Sequence, residues 1–141
     1  MKILIAADGS AYTKRMLAYV AAHDEWLGAG HEFTVVTVVS AVTPRAASVL
    51  DREVLKAYYE EEAEKVLKPV REFFGKQVHC PVHYEAKVGH AADQIVALAE
   101  SAKPDLIMLG THGHGALGNL VMGSVATKVL AHTQVPVLLV R

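Results

Sequence analysis

The sequence predicts an α/β fold built on a parallel sheet, and three observations carry that prediction. Five short strand-like runs recur along the chain, at residues 3–7, 33–39, 81–86, 106–109 and 137–140, and stretches of helical spacing separate them. Runs such as 3–7 and 106–109 are apolar throughout, as strands buried on both faces are. A glycine-rich stretch at 110–124, GTHGHGALGNLVMGS, joins the fourth run to a helix. That is a position at which open α/β sheets carry their ligand loops.

Taken in order, residues 3–7 form the first strand and Asp8-Gly9-Ser10 closes it. Ser10 is placed to cap a helix that starts near Ala11. Met16, Val20 and Leu27 lie near helical spacing, and Gly28 and Gly30 end that helix. Residues 33–39 are rich in β-branched side chains and make the second strand. Residues 40–49, with Pro44 and several small side chains, read as a connection that could lie over a pocket. A long helix follows over 50–74, in which Leu55, Tyr58, Glu62, Val66, Pro69 and Phe73 recur at spacings of three and four. Its acidic run Glu60-Glu61-Glu62 reads as a solvated face, with Glu61 and Lys65 as an i,i+4 pair. Pro69 inside the pattern predicts a kink or break near Lys68. No chemistry shows in this helix.

The third strand, 81–86, reads as an edge. Near it, Cys80 and His83 are three residues apart and so fall on opposite faces of a strand. His79 and His83 could share a face, but two ligands are too few for a closed zinc site. Gly89 precedes a helix through Ala102, with Ile95, Leu98, Ala99 and Ala102 on one side, and Lys103-Pro104-Asp105 ends it. Residues 106–109 are the fourth strand and 125–132 the last helix. Pro136 opens the fifth strand, the position a strand tolerates best.

The glycine-rich stretch is where chemistry concentrates. Gly110, Gly113, Gly115, Gly118 and Gly123 let the backbone approach a ligand closely. Amides in such a loop, with the positive end of the helix behind it, favour an anion such as phosphate. A glycine-rich loop with no ligand is the other reading of the same composition. Gly118 and Gly123 have P-loop separation, but Ser124 stands where that motif needs Lys. A dinucleotide fingerprint would normally follow the first strand, whereas this loop follows the fourth. His112 and His114 are flanked by glycines, which suits phosphate contact or plain exposure better than a metal site. Asp8 lies at the carboxyl end of a central strand, where ligands of open sheets bind. It is equally a turn former that caps the next helix.

The spacing Gly110, two residues, Gly113, nine residues, Gly123-Ser124 resembles the nucleotide-binding loop of the universal stress protein family, in its ATP-binding branch. Lys2-Ile3-Leu4-Ile5 running to Asp8-Gly9-Ser10 resembles that family's first strand and turn. Val135-Pro136-Val137-Leu138-Leu139-Val140 resembles its last strand. The resemblance covers the whole chain as one domain, 1–141. It implies an open five-stranded parallel sheet in the order 3-2-1-4-5, Rossmann-like, with helices on both faces. That order sets the first and fourth strands side by side at a topological switch point. Asp8 and the glycine loop then flank one crevice.

The resemblance also implies roles. Ala6, Val38 and Leu109 would line an adenine pocket, and Ala6 is a tolerable variant of the family's Pro or Ala. Asp8 would face the ribose or a phosphate-bound Mg²⁺. Amides around Gly110, Gly113 and Gly115 and the helix start at Ser124 would hold the phosphates, with the Ser124 hydroxyl adding a hydrogen bond. Thr111, His112, His114, Ala116, Gly123, Val125 and Ala126 would complete the nucleotide-binding set. The ligand implied is ATP, with AMP or ADP open, and the function a nucleotide-dependent regulator or sensor in stress response. Slow ATP hydrolysis or phosphate transfer is a second reading, opposed by the lack of Lys or Arg anywhere in 110–124. A nucleotide-free dimeric interaction module is a third, opposed by the complete glycine set.

Composition is consistent with these readings. The 141 residues are 52% hydrophobic and 21% charged, which suits one compact domain. A formal net charge of −1 gives no general attraction for nucleic acid or an anionic membrane. One cysteine excludes an internal disulfide framework. No apolar stretch has transmembrane length and no signal-peptide pattern opens the chain, so a cytoplasmic location is expected. Val137, Leu138, Leu139 and Val140 form an apolar final strand. At a sheet edge such a strand invites pairing with another copy, so a homodimer is expected.

Overall fold

The computed structural model describes residues 1–114 and 121–141. The elements are β1 (Lys2–Ala6), α1 (Ala11–Ala22), α2 (Asp24–Leu27), β2 (Glu32–Val39), α3 (Pro44–Val49) and α4 (Arg52–Gln77). After these come β3 (Val82–Val88), α5 (Ala91–Ala102), β4 (Leu106–Gly110), α6 (Ser124–His132) and β5 (Val137–Val140). All five strands are parallel, in the order β3-β2-β1-β4-β5. The expected sheet is therefore the observed one, and β3 and β5 are its edges.

β1 is central because both of its faces are covered. Ile3 and Ile5 join a core with α1 and α4 on one side of the sheet, built around Met16, Val20, Phe33 and Phe74. Leu4 points the other way, into a core with α5 and α6 that includes Ile95, Ile107 and Val129. This explains the unbroken apolar run: alternation along a strand sends every side chain into one core or the other.

The helices depart from sequence expectation in four places, each for a local reason. The first helix does not run unbroken to Gly28. His23 leaves helical geometry at φ −124° and its Nδ1–H donates to the Tyr19 carbonyl at 2.8 Å, after which α2 carries Leu27 into the core. The connection over 40–49 contains the short helix α3, opened by Pro44 and capped by Thr43, whose Oγ1 accepts from the Ala46 amide at 3.3 Å. α4 is not broken at Pro69 but continues to Gln77. Pro69 is exposed, so the missing bond lies on the water side. The penalty of about 3 kcal/mol is outweighed by four buried side chains, the three larger of them contributing up to about 1.5–3 kcal/mol each. Those four are Ala63, Leu67, Val70 and Phe74, so the core row of α4 lies one position beyond the row 62, 66, 69 and 73 that spacing suggested. No helix among the described residues is long and apolar enough to cross a membrane.

Candidate functional site

β1 and β4 lie side by side, with Ile5 level with Met108, and the chain leaves them on opposite sides of the sheet. Their carboxyl ends open into a cavity of about 740 Å³, a size ordinary for small-molecule sites. Its apolar part is formed by Ala6 at the end of β1, Val38 in β2 and Leu109 in β4. Their backbones are held by the ladder, so the floor is rigid.

One wall is the turn after β1. Asp8 Oδ1 accepts from the Ser10 amide at 2.9 Å and from the Thr13 hydroxyl at 3.0 Å. Thr13 Oγ1 in turn accepts the amides of Asp8 and Gly9, at 3.0 and 3.2 Å. Ser10 Oγ caps α1 by accepting from the Tyr12 amide at 3.2 Å. Gly9 has φ +76°, a left-handed conformation that favours glycine. Asp8 therefore forms the turn and lines the cavity at once: one carboxylate oxygen is committed to the turn, and Oδ2 faces Gly113.

The opposite wall is the glycine loop. A Cβ on Gly110 would sit 2.7 Å from the Tyr12 Cβ, and one on Gly113 would sit 2.6 Å from Asp8 Oδ2. These glycines are needed for packing against the β1 turn and α1, before any ligand is considered. Thr111 is buried, donates its amide to the Val140 carbonyl and accepts the Gly123 amide at 2.7 Å. That last bond draws the start and end of the loop together. Thr111 Oγ1 and His112 Nδ1 share a hydrogen bond at 3.0 Å, and His112 lies against the Tyr12 ring at 5.3 Å. His114 donates from Nε2 to the Asp8 carbonyl at 2.6 Å, tying loop to turn.

Gly123 caps α6, and its carbonyl accepts both the amide and the hydroxyl of Thr127. Ser124, Val125 and Ala126 form the first turn of α6 and line the cavity. Amides in a first helical turn have no carbonyl partner within their helix. Ala126 buries its methyl in the α5–α6 core, so only its backbone can serve the crevice. Gly115 and Ala116 lie outside the described residues. Of the other nucleotide-site positions expected from the sequence, Thr111 and Gly123 brace the loop, and the rest line one cavity.

Sequence reasoning missed the third wall. Tyr58, Glu62, Lys65 and Val66 of α4 face the crevice, Val66 so closely that a Cβ on Gly9 would be 3.2 Å from it. Lys65 Nζ lies 2.6 Å from Glu62 Oε1 and 4.0 Å from Glu61, so the nearer partner is Glu62 rather than the expected i,i+4 residue. The hydrogen bond that the Lys65 ammonium donates to Glu62 is the main cause that raises the Lys65 pKa. The signal was present: Tyr58, Glu62 and Val66 sit on one helical row that is not the core row.

Elsewhere, Leu138 and Val140 of β5 pack toward the α1–α4 core, while Val137 and Leu139 pack toward the α5–α6 core. Among the described residues, β5 pairs with β4 alone. Cys80 is a half-buried free thiol whose pKa is raised chiefly by burial. No cluster of three or more metal-ligating side chains occurs among the described residues.

Known proteins share this architecture. The model of the universal stress protein family matches residues 1–141. A universal stress protein of Thermus aquaticus is 36% identical over 139 residues, spanning 99% of this chain and 97% of its own length. Universal stress protein Slr1230 of Synechocystis is 33% identical over 141 residues, covering 99% of this chain but 42% of Slr1230. The chain spans about half the length of three of the curated relatives it matches. Among solved structures, the hypothetical protein MJ0577 superposes with a TM-score of 0.78 at 26% identity, over 99% of this chain and 94% of that one. More distant folds carry nucleotides. They are an Archaeoglobus fulgidus universal stress protein with dAMP (TM-score 0.69, 21% identity), an Arabidopsis thaliana family member with AMP (0.62, 16%) and a universal stress protein with cAMP (0.71, 16%). The family model spans every residue of the sheet and of all three walls of the crevice, and with the Thermus relative it shows that the chain belongs to the universal stress protein family.

Proposed function

We propose that this chain is a single-domain, cytoplasmic, ATP-binding regulator or sensor of the stress response. The observation that carries the reading is convergence. The β1 turn, the glycine loop, the start of α6 and an apolar floor all meet in one cavity at the sheet's switch point. The residues fit an adenine nucleotide. Ala6, Val38 and Leu109 offer apolar surface for a base. Loop amides at Gly110 and Gly113, with the first turn of α6 and the Ser124 hydroxyl, offer donors for phosphate. Relatives in complex with AMP, dAMP and cAMP support the adenine class.

Asp8 Oδ2 would contribute one carboxylate to a Mg²⁺ that arrives with the phosphates, which suits an ion that keeps water and phosphate ligands. Hydrolysis needs a positioned base and compensation of charge on the moving phosphoryl group. The cavity offers a single ammonium, on Lys65, among its described residues, so turnover is slow or absent. The place of β5 at the end of the sheet, paired with β4 alone among the described residues, supports a homodimer built strand to strand. Nothing in the charge balance favours nucleic acid or membrane partners.

The test is mass analysis of whatever co-purifies with the protein, followed by calorimetric titration with ATP and AMP. Bound adenine nucleotide, or saturable binding of ATP, is the expected result. The absence of both a co-purifying nucleotide and any heat on titration would overturn the reading.

A further inference from the structure

Resting on the nucleotide reading, we propose that Lys65 and Glu62 of α4 set how many phosphates the crevice accepts, Lys65 leaving Glu62 to pair with the outer phosphates. The glycine loop carries no Lys or Arg between Gly110 and Ser124. The described cavity lining holds two carboxylates, on Asp8 and Glu62, and one ammonium, on Lys65. Each added phosphate adds negative charge, which the carboxylates oppose and the ammonium favours.

The geometry suits an exchange of partners. Lys65 Nζ sits 2.6 Å from Glu62 Oε1, and the two side chains are 60% and 34% exposed. Exposed ion pairs contribute little, so releasing this one costs little. The lysine stem is flexible, with three donors at its end. A charge-assisted bond to phosphate is stronger than the exposed pair it replaces. Val66, the next residue, is fixed against Gly9 beside Asp8, which holds this turn of α4 at the crevice. Glu62 thus plays two parts: it parks the ammonium at the cavity, and it opposes the phosphates directly.

The experiment is calorimetry of wild type, Lys65→Gln and Glu62→Gln with ATP, ADP, AMP and adenosine, at low and at physiological salt. Lys65→Gln is expected to weaken ATP about tenfold, AMP less and adenosine least, with the ATP loss shrinking as salt rises. Glu62→Gln is expected to move ATP affinity the opposite way, tightening it. Equal losses for all four ligands would mean a structural role and overturn the proposal, as would wild-type affinity for ATP in Lys65→Gln. A wild type that binds none of the four overturns the nucleotide reading itself, whereas wild-type binding with an indifferent Lys65→Gln overturns this inference alone.

Discussion

Replacing Gly113 by Ala tests how the loop and the β1 turn depend on each other. The added Cβ would lie 2.6 Å from Asp8 Oδ2, where ordinary contact begins at 3.4 Å, so the two must part by about 0.8 Å. The carboxylate is not free to swing, because Oδ1 holds the Ser10 amide and the Thr13 hydroxyl. Losing both bonds at about 0.5–1.5 kcal/mol each gives about 1–3 kcal/mol, and exposure of Asp8 argues for the lower half of that range. For a chain of this size the melting temperature should fall by about 3–6 °C if the turn yields. If the loop yields instead, the melting temperature holds and ATP affinity falls by about tenfold or more. Scanning calorimetry and titration together read both routes. In an Asp8→Ala background the obstacle is gone, so Gly113→Ala should cost less stability there than in wild type. Wild-type melting and wild-type ATP affinity in Gly113→Ala would refute the reasoning.

Gly123→Val should damage the loop more than Gly113→Ala, since its Cβ meets backbone, the His112 Cα and the Thr111 carbonyl oxygen, each at 3.2 Å; ATP titration with circular dichroism checks that binding is lost while the fold stays. Asp8→Asn should weaken ATP more in Mg²⁺ than in chelator, because Oδ2 would be the metal-facing oxygen; an equal loss in both assigns Asp8 to the turn or ribose. For the dimer, charging β5 side chains would wreck the cores, since all four residues are buried or half-buried. A main-chain probe is cleaner. Pro136 and Val140 turn their carbonyls toward β4, so alternation aims the Leu139 amide outward, and Leu139→Pro should keep the β4–β5 hydrogen bonds, at the cost of one half-buried side chain, but split the dimer. Sedimentation showing a monomeric wild type, or a dimeric variant, counts against the edge interface.

Much of the fold was legible because the sheet's signal is local. A strand covered on both faces must be apolar at every position, and 3–7 and 106–109 are. The Ser10 cap was legible for the same reason, since cap and helix are adjacent in sequence. The helix ends were less so. His23 ends α1 through a bond to its own Tyr19 carbonyl, and nothing in the composition of 11–28 separates that from one continuous helix. Pro69 marked a break from propensity alone, but the packing of Ala63, Leu67, Val70 and Phe74 overrides it.

The site divides along the same line. Asp8 and the glycine loop announce themselves by residue type, because few positions require an acid at a strand end or repeated glycine before a helix. The α4 wall does not, and the reason is physical. On a 26-residue helix the row that meets the sheet and the row that meets the crevice differ by one position, about 100° of rotation. Spacing identifies a face but not what lies opposite it. Glu62 and Lys65 have the composition of a solvated face and mostly behave as one, with most of the Lys65 side chain exposed. What changes their meaning is the strand order. By setting α4 beside Gly9, in the turn that follows β1, the fold brings an ordinary surface pair to the edge of the cavity. There it stands opposite a loop without Lys or Arg, and a pair worth little as a salt bridge acquires leverage over charge in the crevice.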